Sequence, residues 1–530
     1  MNSIFHEGRN CRRIAQANRV AFVTDGEDYF RTFMRAAERA HESIILLAWD
    51  FNSRARLRFD AHDDGAPDML GDFLNWLAKR NRKLRIYILD WDFPMIYATD
   101  REVPALVRLG WGWKPHRRVH LKFDNTHPPG GSHHQKIVVI DDAIAFSGGL
   151  DLTCQRWDTT GHTANDARRV TEDKPYPPFH DLMIAVDGDA ARELGVIVRE
   201  RWACATKKEI PAVRGQRDPW PAELDPELRD IPVAISCTAP ECEPHAEARE
   251  IEALYLDMIA RAKRTMYIEN QYFTAHKLGE ALAARLTENG GPEIVVVTRL
   301  LSHGWLEETT MGVLRNNMIK RLRAADNEGR FHVYYPHMPK LAEGTCIDVH
   351  SKMMAVDDEF LRIGSANFAN RSMGLDTECD LAIEARGDEK IARAIRDFRN
   401  RLLAEHLGVE AGEVAREIES KGSIQRAIEA LQSEGRTLLP LTNLEEYSDV
   451  AIGLAEMTDP ERAVGLDQLM AQFSFGAEFH RTPRVFAKIG LATALTAGLA
   501  AAWRFTPLRT MLSKGEPENL LARVWKRLRQ

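Results

Sequence analysis

The sequence contains few cysteines, and their arrangement suggests neither a disulfide framework nor a zinc site. Its seven cysteines are odd in number, scattered over 530 residues, and never spaced as Cys-x-x-Cys. The stretch from Met1 to Glu7 also lacks the apolar core of a secretory signal. These absences favour a reducing compartment, and we expect most of the protein to be cytoplasmic.

A surplus of positive charge is missing too. Lysine and arginine number 71 against 78 aspartates and glutamates, which gives a formal net charge of −7. Because nucleic-acid binding depends on basic surface, we expect no nucleic-acid partner. Apolar residues make up 44% of the chain and charged residues 28%, as in globular proteins, and the length allows about three domains.

Long apolar runs are scarce. The Ala-rich segment Ile489–Trp503 holds 15 uncharged residues, whereas a membrane-spanning helix needs about 20 and at least roughly 17. Extension to Val485–Phe505 reaches that length if Lys488 and Arg504 snorkel to the two interfaces. A surface-lying or core helix is the alternative. We expect residues 481–530 to anchor the protein to a membrane through this apolar segment.

Against these absences stands an internal repeat. His134-Gln135-Lys136 is followed by Asp141 and then by Gly148-Gly149. His350-Ser351-Lys352 is followed by Asp357 and then by Gly364-Ser365. The offset is 216 residues at each matched position, as from His134 to His350. Several matched positions at one offset indicate a duplication, and a duplication constrains the whole fold.

Hydrophobic periodicity predicts strands that alternate with helices in both halves. The predicted helices cover 27–41, about 69–80, 188–203, 247–262, 275–288, about 306–324 and 388–406. The predicted strands cover 44–49, 84–89, 137–140, 143–146, 180–186, 265–269, 293–297, 331–335, 360–363 and 379–383. This alternation predicts an α/β fold with helices on both faces of a sheet. The two copies should pack with pseudo-two-fold symmetry, so that the two motifs meet at the shared interface.

The same patterns divide the chain into five regions. The first half covers 1–205 and contains the motif 134–141, and a proline-rich linker covers 206–232. The second half covers 233–408 and contains the motif 350–357. An acidic region over 409–480 is helical in pattern without a strand signal, and the predicted anchor 481–530 follows.

The repeated motif predicts phosphoryl-transfer chemistry. Residues i and i+2 of a strand point to the same face, so His134 projects with Lys136 and His350 with Lys352. If the copies meet, one pocket holds two imidazoles and two ammonium groups. The lysines can bind a phosphate ester and stabilise its developing charge. One histidine can attack phosphorus while the other protonates the leaving alkoxide, a reaction that requires neither metal nor cofactor.

Further residues are candidates for supporting this chemistry. Each histidine needs an acceptor for its second ring nitrogen, and Asp181 and Glu378, each at the start of a predicted strand, are the candidates. Asp141 and Asp357 complete the repeated motif and join the candidate catalytic residues, although their position after the strand favours a role in the turn. The predicted phosphate-binding residues are Gly148, Gly149, Ser365 and Asn367.

The two copies differ at one informative position. The residue that matches Asn367 in the first half is Asp151. A carboxylate facing the pocket would repel phosphate. Asp151 therefore either points away from the phosphate, or the first half contacts the phosphoryl group less directly.

The duplicated His-x-Lys-x4-Asp motif resembles the signature of the phospholipase D superfamily, over roughly residues 15–408. The stretches Tyr267–Phe273, Gly364–Asn367 and Asp376–Glu378 are similar to those of true phospholipase D enzymes, including the bacterial transphosphatidylase branch. The resemblance implies two copies of the phospholipase D fold, with a mixed β-sheet flanked by helices.

The resemblance also implies an activity. The enzyme would cleave phosphatidylcholine or a similar phospholipid through a phosphatidyl-histidine. Water would resolve this intermediate to phosphatidic acid, and an alcohol would resolve it by transphosphatidylation. The family pattern makes His134 the nucleophile and His350 the acid.

Three other functions compete with this interpretation. A cardiolipin synthase-like phosphatidyltransferase would use the same chemistry with a lipid alcohol as acceptor. A nuclease would use it on DNA, but the net charge of −7 disfavours this. A catalytically inactive scaffold is disfavoured because both histidines and both lysines are present.

Overall fold

One mixed β-sheet of 16 strands runs through both halves of the chain. The computed structural model describes residues 2–60, 64–92, 112–213, 215, 218–241, 246–301, 308–442 and 444–463. Parallel and antiparallel strand pairs occur in the same sheet, and helices cover both of its faces. The structure therefore confirms the predicted α/β fold class.

The first half contributes ten strands and three helices to the described residues. In chain order they are β1 (Arg13–Thr24), α1 (Asp25–Glu38), β2 (Ser43–Ala48), α2 (Leu70–Arg80), β3 (Arg85–Trp91), β4 (Val119–Asp124), β5 (Ile137–Ile140), β6 (Ile144–Gly148), β7 (Val170–Thr171), β8 (Lys174–Pro175), β9 (Phe179–His180), β10 (Leu182–Asp187) and α3 (Gly188–Thr206).

The second half repeats much of this order. Its elements are β11 (Leu228–Ala239), β12 (Ala248–Arg249), α4 (Glu250–Arg261), β13 (Thr265–Glu269), α5 (His276–Thr287), β14 (Glu293–Val297), a π-helical turn (Glu308–Gly312), α6 (Val313–Ala325), β15 (Phe331–His337), β16 (Asp348–Val349), β17 (Met353–Val356), β18 (Phe360–Gly364), α7 (Asn370–Gly374), β19 (Glu378–Glu384) and α8 (Glu389–Leu407). The chain continues through α9 (Ala411–Lys421), α10 (Ile424–Leu431), β20 (Thr437–Pro440) and α11 (Asp449–Glu456).

The two halves join where β1 pairs antiparallel with β11, from Arg13 opposite Ile235 to Val20 opposite Leu228. Outward from β1 the strands follow the order β10, β6, β5, β2, β3, β4. Outward from β11 they follow the order β19, β18, β17, β13, β14, β15, with β20 beyond. The matched order supports the predicted pseudo-two-fold relation of the copies.

The two strands at this junction were not predicted from the sequence, and the reason is local. β1 carries Arg, Gln and Asn among small alanines, so its alternation of buried and exposed residues is weak in the sequence. β11 contains Pro232, which normally argues against a strand, and it begins inside the predicted linker 206–232. Pro232 lies opposite Gln16 in the β1–β11 register.

The motif strands are formed by short apolar runs. All four residues of β5 and all four residues of β17 are buried. β5 lies between β2 and β6, and β17 lies between β13 and β18, each with antiparallel neighbours on both sides. Covered on both faces and paired on both edges, these strands hold the preceding His-x-Lys segments in fixed positions.

Three large apolar cores surround the sheet. One contains residues of α3 and α8 together with strand residues of both halves, and Phe22 packs on Phe398 with ring centroids 4.5 Å apart. A second lies under α1 and α2, and a third under α4, α5 and α6. The shared core and the continuous sheet make the described residues one compact unit, Met1–Ala463.

The region after residue 409 differs from its prediction in one respect. Its described part contains α9, α10 and α11, but also β20, which pairs antiparallel with β15 at the edge of the sheet. The prediction that this region has no strand was wrong. A four-residue strand that ends in Pro440 is too short to give a periodic signal, and its position is set by pairing.

The prediction that the protein associates with a membrane through its apolar segment was also wrong. Among the helices that the structure describes, none combines the length and hydropathy that crossing a bilayer requires. Residues 481–530, with the run 489–503, lie outside the described residues. The physical reason is length: the 15 uncharged residues between Lys488 and Arg504 reach the roughly 17 needed to span the hydrocarbon core only if both charged residues are included.

Candidate active site

The two motif segments lie against backbone of the opposite half. The His134 N–H donates to the Thr377 carbonyl at 3.0 Å, and the Thr377 N–H donates to the Ser132 carbonyl at 3.0 Å. The His350 N–H donates to the His180 carbonyl at 2.8 Å, next to the short parallel pair of β16 and β9. Both His-x-Lys segments are therefore brought to one interface between the halves.

The two predicted carboxylates contact the histidines, and the pairing crosses between the halves. His134 Nδ1 lies 2.9 Å from Glu378 Oε2 of the second half. His350 Nδ1 lies 2.6 Å from Asp181 Oδ2 of the first half. Each contact engages Nδ1 and leaves Nε2 as the ring nitrogen for a substrate. The histidine side chains keep 11% and 12% of their surface exposed, while both carboxylates are fully buried.

Burial determines the protonation of these pairs. Burial, with the neighbouring Lys136 and Lys352, lowers the pKa of His134 well below its usual value, and burial and Lys352 do the same to the pKa of His350. Burial raises the pKa of Asp181 to about 7 and the pKa of Glu378 to about 8. Because isolated charges are disfavoured in this environment, burial favours neutral imidazoles beside carboxyl groups that keep their protons to a higher pH than usual.

The two lysines have different environments. Lys136 Nζ lies 3.0 Å from the Asp151 carboxylate and 5.5 Å from the ring centroid of Trp49. Lys352 Nζ instead donates to the neutral amide oxygen of Gln271 at 2.9 Å. Burial lowers the pKa of Lys352 to about 7, with Asp181 opposing the shift. Among the described residues, the first half therefore offers a salt-bridged lysine and the second half a lysine with no carboxylate this close.

Asp151 has a specific position that the sequence left open. Its Oδ2 faces Lys136, and its Oδ1 accepts from the Trp49 N–H at 3.0 Å. Both oxygens therefore have donors, and the carboxylate is balanced by the motif lysine.

The predicted phosphate-binding residues lie close to the two histidine–carboxylate pairs, and their main role in the structure is to pack against or bond to neighbouring protein groups. A Cβ on Gly149 would meet Asp181 Oδ1 at 2.1 Å, and one on Gly148 would meet the Leu182 carbonyl at 2.3 Å. These glycines make room for β10 and for the carboxylate beside His350. The Ser365 hydroxyl donates to Glu378 Oε2. Asn367 Oδ1 is buried and has no hydrogen-bond partner among the described residues.

Asp141 and Asp357 lie at the far ends of the motif strands from the lysines. Asp141 accepts from the backbone N–H groups of His41, Glu42 and Ser43 at 2.6–2.8 Å. Asp357 accepts in the same way from the N–H groups of Lys263, Arg264 and Thr265 at 2.5–2.8 Å. The structure does not bring these carboxylates to the histidines; they hold the starts of β2 and β13.

Sequence reasoning missed several residues that contact the site. Gln271 contacts Lys352, and its signal was its place in the Tyr267–Phe273 stretch, where it had no assigned role. Phe179 packs on His350 with ring centroids 5.2 Å apart, and the Arg156 guanidinium lies 4.7 Å from the Phe179 ring centroid. Trp49 lies beside His134 in a similar way, with ring centroids 6.1 Å apart. No spacing in the sequence indicated these aromatic neighbours.

His133, the residue before His134, is held by other contacts and is not one of the two paired histidines. Its Nε2 lies 3.2 Å from Asp124 Oδ1, and Arg201 Nη2 lies 2.8 Å from the same nitrogen. Burial and Arg201 lower the pKa of His133 to about 4. Its ring is committed to a structural ion-pair cluster.

The arrangement as a whole has a defined chemical capacity. Two imidazoles with carboxylate-anchored Nδ1 atoms lie at the interface between the halves, together with two buried lysines. A phosphate ester would meet a nucleophile, an acid and compensating positive charge. Fold and site together define an α/β protein with a duplicated His-Lys site whose groups suit phosphoryl-transfer chemistry.

Comparison with known proteins agrees with this definition. The family model "Cardiolipin synthase, PLD-like domain" matches residues 255–402. Phospholipase D A of Dictyostelium discoideum is 26% identical over 463 residues, covering 74% of this chain and 36% of the relative. Phospholipase D gamma 2 of Arabidopsis thaliana is 24% identical over 529 residues, covering 70% of this chain and 61% of the relative. The chain thus spans between about one third and three fifths of the length of these relatives.

A solved structure shares the fold. The crystal structure of phosphatidylserine synthase from Haemophilus influenzae Rd KW20 superposes with a TM-score of 0.51 at 13% identity, covering 84% of this chain and 93% of that chain. These similarities support the phospholipase D superfamily, which the duplicated motif predicted.

Proposed function

We propose that this protein is a phospholipase D. It hydrolyses a phospholipid such as phosphatidylcholine to phosphatidic acid and the free headgroup, and it transfers the phosphatidyl group to an alcohol when one is present. The names of the relatives support the substrate class. The activity is a proposal because this chain spans only part of the length of those relatives. The crossed pairs, His134 with Glu378 and His350 with Asp181, are the observation that carries the proposal.

The crossed pairs support a two-step reaction. His134 Nε2 attacks phosphorus, the bond between phosphorus and the headgroup oxygen breaks, and His350 donates the Nε2 proton to the leaving alkoxide. Water or an alcohol then attacks the phosphohistidine while His350 takes up its proton. The phosphorus–nitrogen bond breaks, and His134 is restored.

The buried charges support the same division of roles. A bound phosphate ester brings negative charge and would favour imidazolium at His350 beside the Asp181 carboxylate, which is the form that a general acid needs. Lys136 and Lys352 are positioned to neutralise the phosphate oxygens in the crowded intermediate. Asn367 Oδ1, buried without a partner among the described residues, is available to accept from a water or alcohol near the phosphorus.

Incubation with phosphatidylcholine and ethanol tests the proposal. We expect phosphatidic acid, free choline and phosphatidylethanol, with phosphatidylethanol rising at the expense of phosphatidic acid as ethanol increases. The partition between two acceptors reports a common covalent intermediate. Absence of both phosphatidic acid and phosphatidylethanol from phosphatidylcholine, phosphatidylethanolamine and phosphatidylglycerol alike would refute the proposal.

A cardiolipin synthase-like phosphatidyltransferase is the second candidate, because the description of the matching family model names that activity. The chemistry is the same, but the acceptor is a hydroxyl group of a second phospholipid. Vesicles of phosphatidylglycerol without added alcohol distinguish the two functions. Cardiolipin as the main product would favour the transferase, and phosphatidic acid as the main product would favour the hydrolase.

A further inference from the structure

Glu269, at the end of β13, is a fully buried carboxylate with four side-chain partners. Its Oε1 accepts from the Tyr267 hydroxyl at 2.5 Å and lies 3.0 Å from His406 Nε2. Its Oε2 accepts from the Ser351 hydroxyl at 2.7 Å and lies 3.0 Å from His180 Nε2. Burying a carboxylate is costly, and four hydrogen bonds on one group indicate a site whose geometry is tightly fixed.

Two of these four partners are sequence neighbours of the His350 pair. Ser351 lies between His350 and Lys352 in the chain. His180 directly precedes Asp181, the carboxylate that contacts His350 Nδ1. Glu269 therefore connects the backbone that carries the histidine to the backbone that carries its acceptor, and the two come from different halves of the chain. The segments around His134 and Glu378 are linked differently: Asp376, two residues before Glu378, accepts directly from the Ser132 N–H at 2.8 Å.

The charge of the surrounding network reinforces this connection. Burial alone would lower the pKa of His180, but Glu405, Asp25 and Glu269 raise it well above the usual value. His180 is therefore an imidazolium that pairs with Glu269. Asp25 also contacts the segment that carries Asp181, because its Oδ1 accepts from the Asp181 N–H at 3.1 Å. Asp25 has a φ of 62° and is not glycine, which is strain of the kind that functional sites retain.

A metal ion at this cluster is the competing interpretation, because Asp25, His162, His180 and Glu405 converge there. Glu405 Oε1 lies 2.7 Å from His180 Nδ1 and 3.0 Å from His162 Nε2. The contact with His162 is a hydrogen bond, and the contact with His180 is an ion pair without hydrogen-bond geometry. Both are shorter than the roughly 3.3 Å between ligand atoms around a tetrahedral zinc with bond lengths of about 2.0–2.1 Å. The geometry favours a network of charged hydrogen bonds.

We propose that Glu269 is a positioning residue for His350, holding Ser351 and His180 so that the His350–Asp181 pair is aligned to protonate the leaving group. This inference rests on the proposed function, in which His350 is the acid and His134 the nucleophile. It makes a distinction that a general stabilising role does not: loss of Glu269 should impair proton donation while leaving nucleophilic attack intact.

The test compares two leaving groups in Glu269→Gln. Choline leaves as an alkoxide that needs a proton, whereas p-nitrophenolate leaves without one. For phosphatidylcholine we expect kcat/KM to fall about 30- to 100-fold, within the contribution of a general acid. For phosphatidyl-p-nitrophenol, presented in mixed micelles like those used for phosphatidylcholine, we expect kcat/KM to fall by less than about threefold. A burst of p-nitrophenol should precede slow turnover, because His350 must still activate water in the second step.

The matched control is Glu384→Gln. Glu384 is a buried glutamate at the far end of β19 from Glu378, and it accepts from the Ile4 N–H at 3.1 Å. Both substrates should be turned over by this variant at wild-type rates. If Glu269→Gln does not fold, Ser351→Ala removes one of the four hydrogen bonds and should show the same discrimination, about three- to tenfold for phosphatidylcholine.

Three outcomes would contradict the inference in different ways. Equal losses on both substrates would overturn the positioning role while leaving the proposed function intact. Stoichiometric zinc, iron or manganese in the purified wild-type protein, lost in His162→Ala, would replace the hydrogen-bond network with a metal site. Failure of the wild-type protein to cleave either substrate would overturn the proposed function and this inference with it.

Discussion

At the scale of single residues, the site depends on two histidines that the sequence identified by their repetition. Asp181 and Glu378 were also predicted as their acceptors, from their positions at the starts of strands. Which carboxylate serves which histidine could not be predicted, because that depends on how the halves face one another. The crossed pairing is a property of the interface and of no single stretch of sequence.

We predict that His134→Ala and His350→Ala each reduce turnover of phosphatidylcholine by more than 100-fold, since each removes a group that takes part in bond making or proton transfer. The measurement is release of choline at saturating substrate. His133→Gln is the matched control, because His133 is held by Asp124 and Arg201, and it should stay within about tenfold of the wild type. Residual activity above about 1% in either alanine variant would contradict the two-histidine mechanism.

Glu378 should also affect how stability depends on pH. Burial raises its pKa from 4.5 to about 8, so between these values the folded state holds a proton that the unfolded state has released. The free energy of unfolding therefore falls as pH rises from about 4.5 through about 8. Glu378→Gln cannot lose that proton. Relative to this variant, the wild type should lose about 1–3 kcal/mol between pH 5 and pH 8.

Urea titrations at several pH values between 5 and 8 measure that difference. Glu384→Gln serves as the control for removing a buried glutamate. A constant difference between wild type and Glu378→Gln across this range would show that Glu378 is ionised throughout in the folded protein.

At the scale of elements, the motif strands are fixed by the aspartates that follow them. Asp141 and Asp357 have φ values of 53° and 54°, a conformation that aspartate tolerates better than alanine. Each also satisfies three backbone N–H groups at the start of the neighbouring strand. The sequence indicated a role in the turn for both, and the contacts explain why the motif retains a carboxylate so far from its histidine.

Asp141→Ala should reduce the free energy of unfolding by about 2–4 kcal/mol, because it leaves buried N–H groups without an acceptor and strains the backbone. Asp141→Asn keeps one acceptor and tolerates the positive φ, so it should lose less. Turnover per folded molecule should stay within about threefold in both. A variant as stable as the wild type but inactive would return Asp141 to the catalytic residues.

The elements that the sequence identified and those that it missed differ in a physical way. β5 and β17 are short, apolar and fully covered, so composition alone predicted them. β1 and β11 depend on one another, since alanines and a proline make poor strands until a partner strand supplies the hydrogen bonds. β20 likewise exists through its pairing with β15. Local patterns predicted the interior of each half and missed the strands defined by pairing.

At the scale of the whole molecule, the halves form one sheet and one site. The repeat offset predicted two copies, and the matched strand order agrees with that prediction. Separate fragments 1–226 and 227–530 should each be inactive, because each lacks one histidine and one of the crossed carboxylates. Each also exposes the free edge of β1 or β11, so we expect poor solubility when either is expressed alone.

Co-expression should restore the protein. The fragments should co-purify in a 1:1 complex by size-exclusion chromatography, with more than about 10% of the turnover of the intact chain. A matched pair that joins wild-type 1–226 to 227–530 carrying His350→Ala should assemble without activity. Turnover by either fragment alone would show that one half holds a complete site.

The crossed pairing also has an evolutionary consequence. After an ordinary duplication, one copy can accumulate substitutions while the other preserves the ancestral role. Here a carboxylate of each copy contacts the histidine of the other copy. A substitution in one copy can therefore alter the half-site of the other. We therefore expect a difference such as Asp151 against Asn367 to affect both half-sites, and substitutions in one half to be constrained by the other.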